Sequence, residues 1–329
     1  IYPIPKDPTK TCTSQNARPL TMLETGLKIM TQILSNRITK TLTYTPMYTP
    51  TQYAFLPGKT ILDPLRLIEH AQADARLNNK EIHQTFLDLT QAFDRLEFWA
   101  GEMALKRMNY PDKFNKLIHN LNVDSRRRIV TKDGNTTDWK LQCGIAQGEV
   151  LSPIRFITVM DMLATWLAMR ANGCNPSKKN TGYTIKPKKS TRVTQTTQIP
   201  THKLNAILYC DDISITTDNF DDMQDQVGII SEFMTTFGIQ INNNKSFYTM
   251  KSHKPIHQQQ KITNSPSITG TWEGGMDGNW IPSTKPLGPH TEQPKYLTVK
   301  QVDEPIRYLG VHTLYPKRRL EIPTQNPEG

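Results

Sequence analysis

Cysteine is scarce in this sequence and badly spaced for its structural uses. Cys12, Cys143, Cys174 and Cys210 contain no C-x-x-C pair. That excludes a zinc ribbon or knuckle within the chain and argues against a disulfide framework. Such sparing use fits a reducing, intracellular compartment. Long apolar runs are also absent: no stretch approaches the roughly 18 consecutive apolar residues of a membrane span, and no secretory signal pattern opens the chain. There is no internal repeat, and the eight histidines lack metal-ligand spacing. No Met stands before Ile1-Tyr2-Pro3, so the chain is expected to be part of a longer product. Acidic residues are outnumbered, 30 against 40 Lys and Arg, for a formal charge of +10. That excess makes a polyanion a natural partner. Apolar residues form 36% of the 329 positions, enough for a real core and against full disorder. The length suits about two domains of roughly 150 residues, or one lobed domain.

Apolar periodicity changes character along the chain. Thr21 to Leu42 places Leu23, Leu27, Met30, Ile33, Leu34 and Ile38 at three- and four-residue steps, which predicts an amphipathic helix. Asp63 to Leu77 predicts another, with Pro64 in its first turn. Ile82 to Leu89 has a buried-strand pattern and leads directly into a helix over Ala92 to Met108. Leu151 to Ala171 and Asp221 to Phe237 are further helices. Leu204 to Tyr209 and Ile213 to Thr217 are β-rich runs separated only by Cys210-Asp211-Asp212, a hairpin with an acidic tip. Ser246 to Met250 and Ile306 to Thr313 read as strands. This order is that of a split βαβ, ferredoxin-like sheet. Asn172 to His202 and Ser252 to Glu304, rich in polar and turn-forming residues, read as insertions.

Three carboxylates fall at strand ends. Asp88 closes Thr85-Phe86-Leu87, and Asp211 and Asp212 occupy the hairpin tip. In one sheet they would converge on one edge, where they could not all stay ionised and dry without a cation. Mg²⁺ suits hard oxygen donors and keeps positions open for phosphate. Taken alone, an Asp-Asp pair is more often a solvated turn, and Asp88 could be a helix N-cap.

The surrounding residues resemble the reverse transcriptase family, in family order from end to end. Ile4-Pro5-Lys6 with Arg18-Pro19-Leu20 is similar to a fingers motif, and Gln52 to Lys59 to the next fingers block. Phe86-Leu87-Asp88-Leu89-Thr90-Gln91-Ala92-Phe93-Asp94 resembles motif A. Gly144-Ile145-Ala146-Gln147-Gly148 through Ser152-Pro153 resembles motif B. Tyr209-Cys210-Asp211-Asp212 resembles motif C, with Cys210 where Ala is usual. Gly238 to Lys245 resembles motif D, and Tyr308-Leu309-Gly310 motif E. The Arg-Pro-Leu and Tyr-Leu-Gly forms are most like non-LTR retrotransposon (LINE-type) enzymes, relatives of group II intron reverse transcriptases.

The resemblance implies an α+β right-hand polymerase fold: fingers plus a ferredoxin-like palm with an antiparallel sheet, the thumb absent or truncated. Residues 1–81 and 100–140 would be fingers. Residues 82–99 and 141–315 would be palm, with insertions at 172–203 and 252–304, and 316–329 would begin the connection to a thumb. The implied activity is RNA-directed DNA polymerisation by a non-LTR retroelement enzyme, with two Mg²⁺ ions, or Mn²⁺ in their place. The alternative is a non-catalytic nucleic-acid-binding scaffold that keeps the polymerase fold. Asp88, Asp211, Asp212 and the Leu89 carbonyl would hold metal. Lys6 and Arg18 would grip the triphosphate; singly, each reads as a surface cation. Phe93 would exclude a 2′-hydroxyl, with a core phenylalanine as the other reading, and Asp94 is structural or nucleotide-adjacent. Gln147 and Gly148 would pack under the nascent base pair. Lys245 would protonate pyrophosphate, or is a surface lysine. Tyr308, Leu309 and Gly310 would form the primer grip. Arg126, Arg127 and Arg128 would bind nucleic acid, as would the basic groups around Lys186 to Lys189 and Lys317 to Arg319 if near a template cleft; the other reading of each cluster is a solvated charged face. The partners implied are an RNA template with a DNA primer, dNTPs, no membrane, and thumb and endonuclease domains elsewhere in the full product. The location would be the nucleus in a eukaryote and the cytoplasm otherwise.

Overall fold

The computed structural model describes residues 1–6, 9, 13, 17–123, 125–171, 182–185, 202–252, 267–268, 272–274, 280–282, 295–300, 306–309 and 311–313. Strands β1 (Tyr2–Pro5) and β2 (Ala17–Leu20) come first, then helices α1 (Thr25–Tyr44) and α2 (Leu62–Leu77). Strands β3 (Glu81–Leu87) and β4 (Leu89–Thr90) precede helices α3 (Ala92–Arg95), α4 (Phe98–Arg107) and α5 (Asp112–Val123). Four two-residue strands follow: β5 (Arg126–Arg127), β6 (Val130–Thr131), β7 (Gly134–Asn135) and β8 (Trp139–Lys140). Helix α6 (Ser152–Ala171) leads to β9 (Tyr183–Ile185), β10 (His202–Leu204), β11 (Ala206–Tyr209) and β12 (Asp212–Thr217). Helix α7 (Phe220–Thr236), β13 (Gln240–Ile241) and β14 (Phe247–Ser252) complete the main body.

Strand β3 is buried almost end to end, and its alternation sets the layers. Phe86 and Ile82 join a cluster with Leu65, Ile68 and Ala71 of α2 and with Tyr183 and Tyr308. Leu87 joins the larger cluster on the other face, built from α4, α6 and α7 through Ala100, Phe156, Ile157, Val227, Ile230 and Phe233. A strand buried on both faces belongs in the middle of a sheet, and the order is β11-β12-β3-β14 with Thr298–Val299 outermost. The first four are antiparallel and follow the split βαβ order. Thr298–Val299 pairs parallel to β14, so the sheet is mixed rather than antiparallel throughout.

Several boundaries differ from the sequence expectation, each for a local reason. Helix α1 starts at Thr25 because Glu24 caps it, accepting from Leu27 N at 3.0 Å, while Thr21 N donates to the Gln147 carbonyl at 2.7 Å. The helix expected over Ala92 to Met108 is broken. Leu96 and Glu97 are extended, with ψ of 119° and 140°. Their conformation frees the Phe93 carbonyl to accept from Ile145 N at 2.7 Å and the Leu96 carbonyl from Gly144 N at 2.8 Å. Ile306 to Thr313 is a hairpin, Ile306–Tyr308 against Val311–Thr313, with Leu309 at φ 50°. Gly310, Lys186 to Lys189, Lys317 to Arg319 and 316–329 lie outside the described residues. No helix among the described residues is long and apolar enough to cross a membrane.

The two expected insertions contribute to the body. Thr298–Val299 extends the sheet, and β9 pairs with β10. Tyr183 is fully buried, and its hydroxyl donates to Asp74 Oδ2 at 2.8 Å. Lys80 Nζ joins that carboxylate at 2.9 Å and donates to the Thr184 carbonyl. Tyr183→Ala is therefore expected to cost about 3–5 kcal/mol, as for a core aromatic; an unshifted denaturation midpoint would mark the β9–β10 pair as an accessory.

Candidate active site

The register of the central strands builds the acidic edge. Leu87 pairs with Ile213, so Asp88 and Asp212 are the next residues beyond that pair. Asp212 faces Tyr209 across a two-residue turn of Cys210 and Asp211. Short hairpin turns of this kind call for a left-handed residue, and Cys210 takes that role at φ 59°. Its thiol is buried in the main core, which anchors the turn and pushes the thiol pKa up. Helix α3 begins at Ala92, preceded by Gln91 at φ 50°, so Asp88 is not its N-cap.

A turn between β13 and β14 forms a collar around Asp88. Asn242 N donates to the Asp88 carbonyl at 2.8 Å. Asn242 Nδ2 donates to Asp88 Oδ2 at 3.0 Å. Asp88 N donates to Ser246 Oγ at 3.0 Å. Lys245 Nζ stands 3.7 Å from the same Oδ2, mostly exposed, a separation at which an ion pair contributes little to stability. Asn242 and Ser246 escape a reading of the sequence; the only signal is their place in the Asn242 to Ser246 run that ends the Lys245 motif.

Burial, then the neighbouring Asp211 and Asp88 charges, push the Asp212 carboxyl up to about 7, with Lys245 opposing. Asp211 is raised as well, chiefly by burial and also by Asp88. Like charges held near one another in a half-buried place have this effect. Among the described residues, no group of three His, Cys, Asp or Glu has the arrangement to hold a metal ion. The acidic edge is a set of oxygen donors with excess negative charge rather than a closed chelate.

Asp88 and Asp211 line a cleft of about 1010 Å³ together with Lys6, Arg18, Leu89, Phe93, Gln147, Gly148 and Lys245. Lys6 and Arg18 are exposed, Arg18 lying across from Ile4 in the β1–β2 hairpin. Phe93 is half-buried and stacks on buried Phe156, with ring centroids 4.5 Å apart, so it is both a wall of the cleft and a piece of the core. Gly148 has φ +105°, and a Cβ there would come within 2.8 Å of the Thr21 carbonyl. Glycine is required by that close approach, as it is at Gly144, where a Cβ would meet the Asp94 carbonyl at 2.6 Å. Buried Arg155 anchors the same loop: it donates to Asn122 Oδ1 at 2.7 Å and pairs with Glu149 Oε2 at 3.5 Å.

Other expected site residues lie elsewhere. Asp212 does not line the cleft. Tyr308 is buried against Phe86, with centroids 5.1 Å apart, and Leu309 packs beside it. Arg126, Arg127 and Arg128 border a separate cavity of about 500 Å³, and they do not act alike. Arg128 is engaged by Asp138 through two hydrogen bonds, at 2.8 and 3.1 Å. Half-buried Arg127 donates to Thr21 Oγ1 at 3.1 Å, and its charge acts on Asp94 and Glu149. Arg126 is exposed on β5.

The profile of the family described as Reverse transcriptase (RNA-dependent DNA polymerase) matches residues 4–313. The chain is 24% identical over 299 residues to a Pol polyprotein from the type-1 retrotransposable element R2 of Nasonia vitripennis, covering 90% of this chain and 25% of that protein. Against the R2 polyprotein of Popillia japonica the figures are 24% over 222 residues, 68% and 31%. The chain thus spans roughly a quarter to a third of these relatives. A telomerase structure from Candida albicans aligns with a TM-score of 0.47 at 13% identity, covering 78% of this chain and 38% of that one.

The acidic edge carries a measurable cost. With its carboxyl at about 7, folded Asp212 holds a proton more tightly than the unfolded chain does. Its contribution to stability is therefore lost as pH rises from about 4 through about 7. In chelator, Asp212→Asn is expected to raise the denaturation midpoint more at about pH 8 than at about pH 5. An equal change at both pH values would contradict this electrostatic picture.

Proposed function

Because the chain belongs to the reverse transcriptase (RNA-dependent DNA polymerase) family, we propose that its cleft extends a DNA primer along an RNA template, as part of a non-LTR retroelement protein. The observation that carries this reading is the pairing of opposite charges in one cleft: Asp88 and Asp211 beside Lys6, Arg18 and Lys245. The acidic pair suits a hard cation and the basic set a triphosphate.

The donors fit magnesium by their chemistry, being oxygen groups whose mutual repulsion a cation relieves. Asp88 and Asp211 would hold it, with Asp212 and the Leu89 carbonyl completing the set. When bound, two Mg²⁺ ions, or Mn²⁺ in their place, polarise the attacking hydroxyl and the phosphate. The chain's own groups do the rest. Lys6 and Arg18 bind triphosphate oxygens, arginine through paired donors and lysine as a point charge. The primer 3′-hydroxyl loses its proton to solvent water and its oxygen bonds to the α-phosphorus as the bond from that phosphorus to the α–β bridging oxygen breaks, and Lys245 gives a proton to the departing pyrophosphate. Phe93, propped by Phe156, occupies the space a sugar 2′-hydroxyl would need. Gln147 and Gly148 lie under the new base pair. Arg126 and Arg127 neutralise template phosphates, and Tyr308, Leu309 and Gly310 support the primer. In this reading residues 1–81 and 100–140 are fingers, and 82–99 and 141–315 palm.

Primer extension on an RNA template with dNTPs and Mg²⁺ tests the proposal. Asp211→Asn is expected to lower the rate by roughly a thousandfold, about 4 kcal/mol, with folding retained. An unchanged rate would remove Asp211 from the chemistry. Template binding without extension by the parent chain would favour a nucleic-acid-binding scaffold.

A further inference from the structure

Motif A and motif B are joined by a bond that neither motif discloses. Gln147 Nε2 donates to Asp94 Oδ2 at 2.9 Å, and both residues line the cleft. An ionised carboxylate only accepts, so the amide end facing Asp94 is the NH₂ group and its oxygen is the end left over. The Gln147 backbone is fixed as well, its carbonyl accepting from Thr21 N at 2.7 Å. Asp94 is held on its own side: the carbonyls flanking it, Phe93 and Leu96, accept from Ile145 and Gly144. Burial pushes the Asp94 carboxyl up, while Arg127, the Gln147 bond and Lys6 oppose that rise and favour its ionised form.

We propose that Asp94 is a positioning residue, which locks the Gln147 side-chain amide so that its oxygen is presented to a hydrogen-bond donor on the incoming nucleotide. This rests on the reading of Gln147 as a nucleotide contact. In this role Asp94 does not itself contact the nucleotide. It acts through Gln147, and an asparagine of the same shape removes the lock, because its amide can face Gln147 as donor or acceptor and so permits both orientations.

The test is a double-mutant cycle in primer extension, with dNTP KM and kcat read separately and folding followed by chemical denaturation. Asp94→Asn is expected to raise the dNTP KM by roughly tenfold, in the range seen for coupled contacts, while kcat and primer–template affinity stay near the parent. Gln147→Ala is expected to lower kcat/KM, and Asp94→Asn added to it to cause no further loss. Asp94→Glu, still an acceptor only, is expected to retain more dNTP affinity than Asp94→Asn. If Gln147→Ala lowers kcat/KM but Asp94→Asn does nothing, or if its effect persists undiminished in the Gln147→Ala background, the positioning role is overturned and the nucleotide reading of Gln147 survives. If Gln147→Ala leaves dNTP use unchanged, that reading falls and the proposal with it. The Gln147 side-chain amide NMR signal gives a readout independent of activity. It should be protected from exchange in the parent and lose that protection in Asp94→Asn, and a signal indifferent to residue 94 would overturn the lock.

Discussion

Repulsion among carboxylates at one edge of the sheet is the constraint around which this molecule is arranged. Asp88 and Asp212 are placed there by the pairing of β3 with β12, and Asp211 by the turn that joins β11 to β12. None of these positions is adjustable without shifting a buried strand, since a one-residue slip would carry the apolar side chains of β3 to the wrong faces. The core that fixes the register therefore also fixes the charges. Their separation from water raises Asp211 and Asp212, and the only cation drawn close among the groups acting on them is Lys245. The edge is complete as a fold and unbalanced as an electrostatic system, which is the condition a bound cation would relieve.

Rigidity around the edge comes from segments distant in the chain. Asn242 and Ser246 lie 154 and 158 residues from Asp88 and yet supply its hydrogen bonds. Gly144 and Ile145 bond to the carbonyls that break the α3–α4 helix. The cleft is thus framed by loops tied to one another through backbone groups, a design in which precision does not depend on side-chain flexibility. Surface charge is less concerted. The three arginines at 126–128 have three different environments, and Arg128 is engaged by Asp138.

What could be read from the sequence follows from this division. The central strand, the acidic hairpin and the helices over 152–171 and 220–236 announce themselves through local periodicity, and the carboxylates were legible because each sits where a strand ends. The ordered blocks from Lys6 to Lys245 placed most of the cleft lining. The collar of Asn242 and Ser246 was not legible, since nothing in an Asn-rich turn says which strand it will bond. The break at Leu96 and Glu97 was hidden because apolar spacing continues through it; only the backbone donors Gly144 and Ile145, which bond to the Leu96 and Phe93 carbonyls, need it. Tyr183 looked like part of a polar insertion, and its burial depends on Asp74 and Lys80, more than a hundred residues earlier. The burial of the Tyr308 ring was likewise not legible, since its motif says nothing of the core cluster it joins.

The measurement closest to the central claim is the effect of Mg²⁺ on the thermal stability of the chain, compared with Asp88→Asn and Asp211→Asn. If the acidic edge is held in repulsion until a cation balances it, saturating Mg²⁺ raises the melting temperature of the parent and does so far less in either variant, while both variants are at least as stable as the parent in chelator. A parent chain indifferent to Mg²⁺, or variants stabilised by it as much as the parent, would contradict the account.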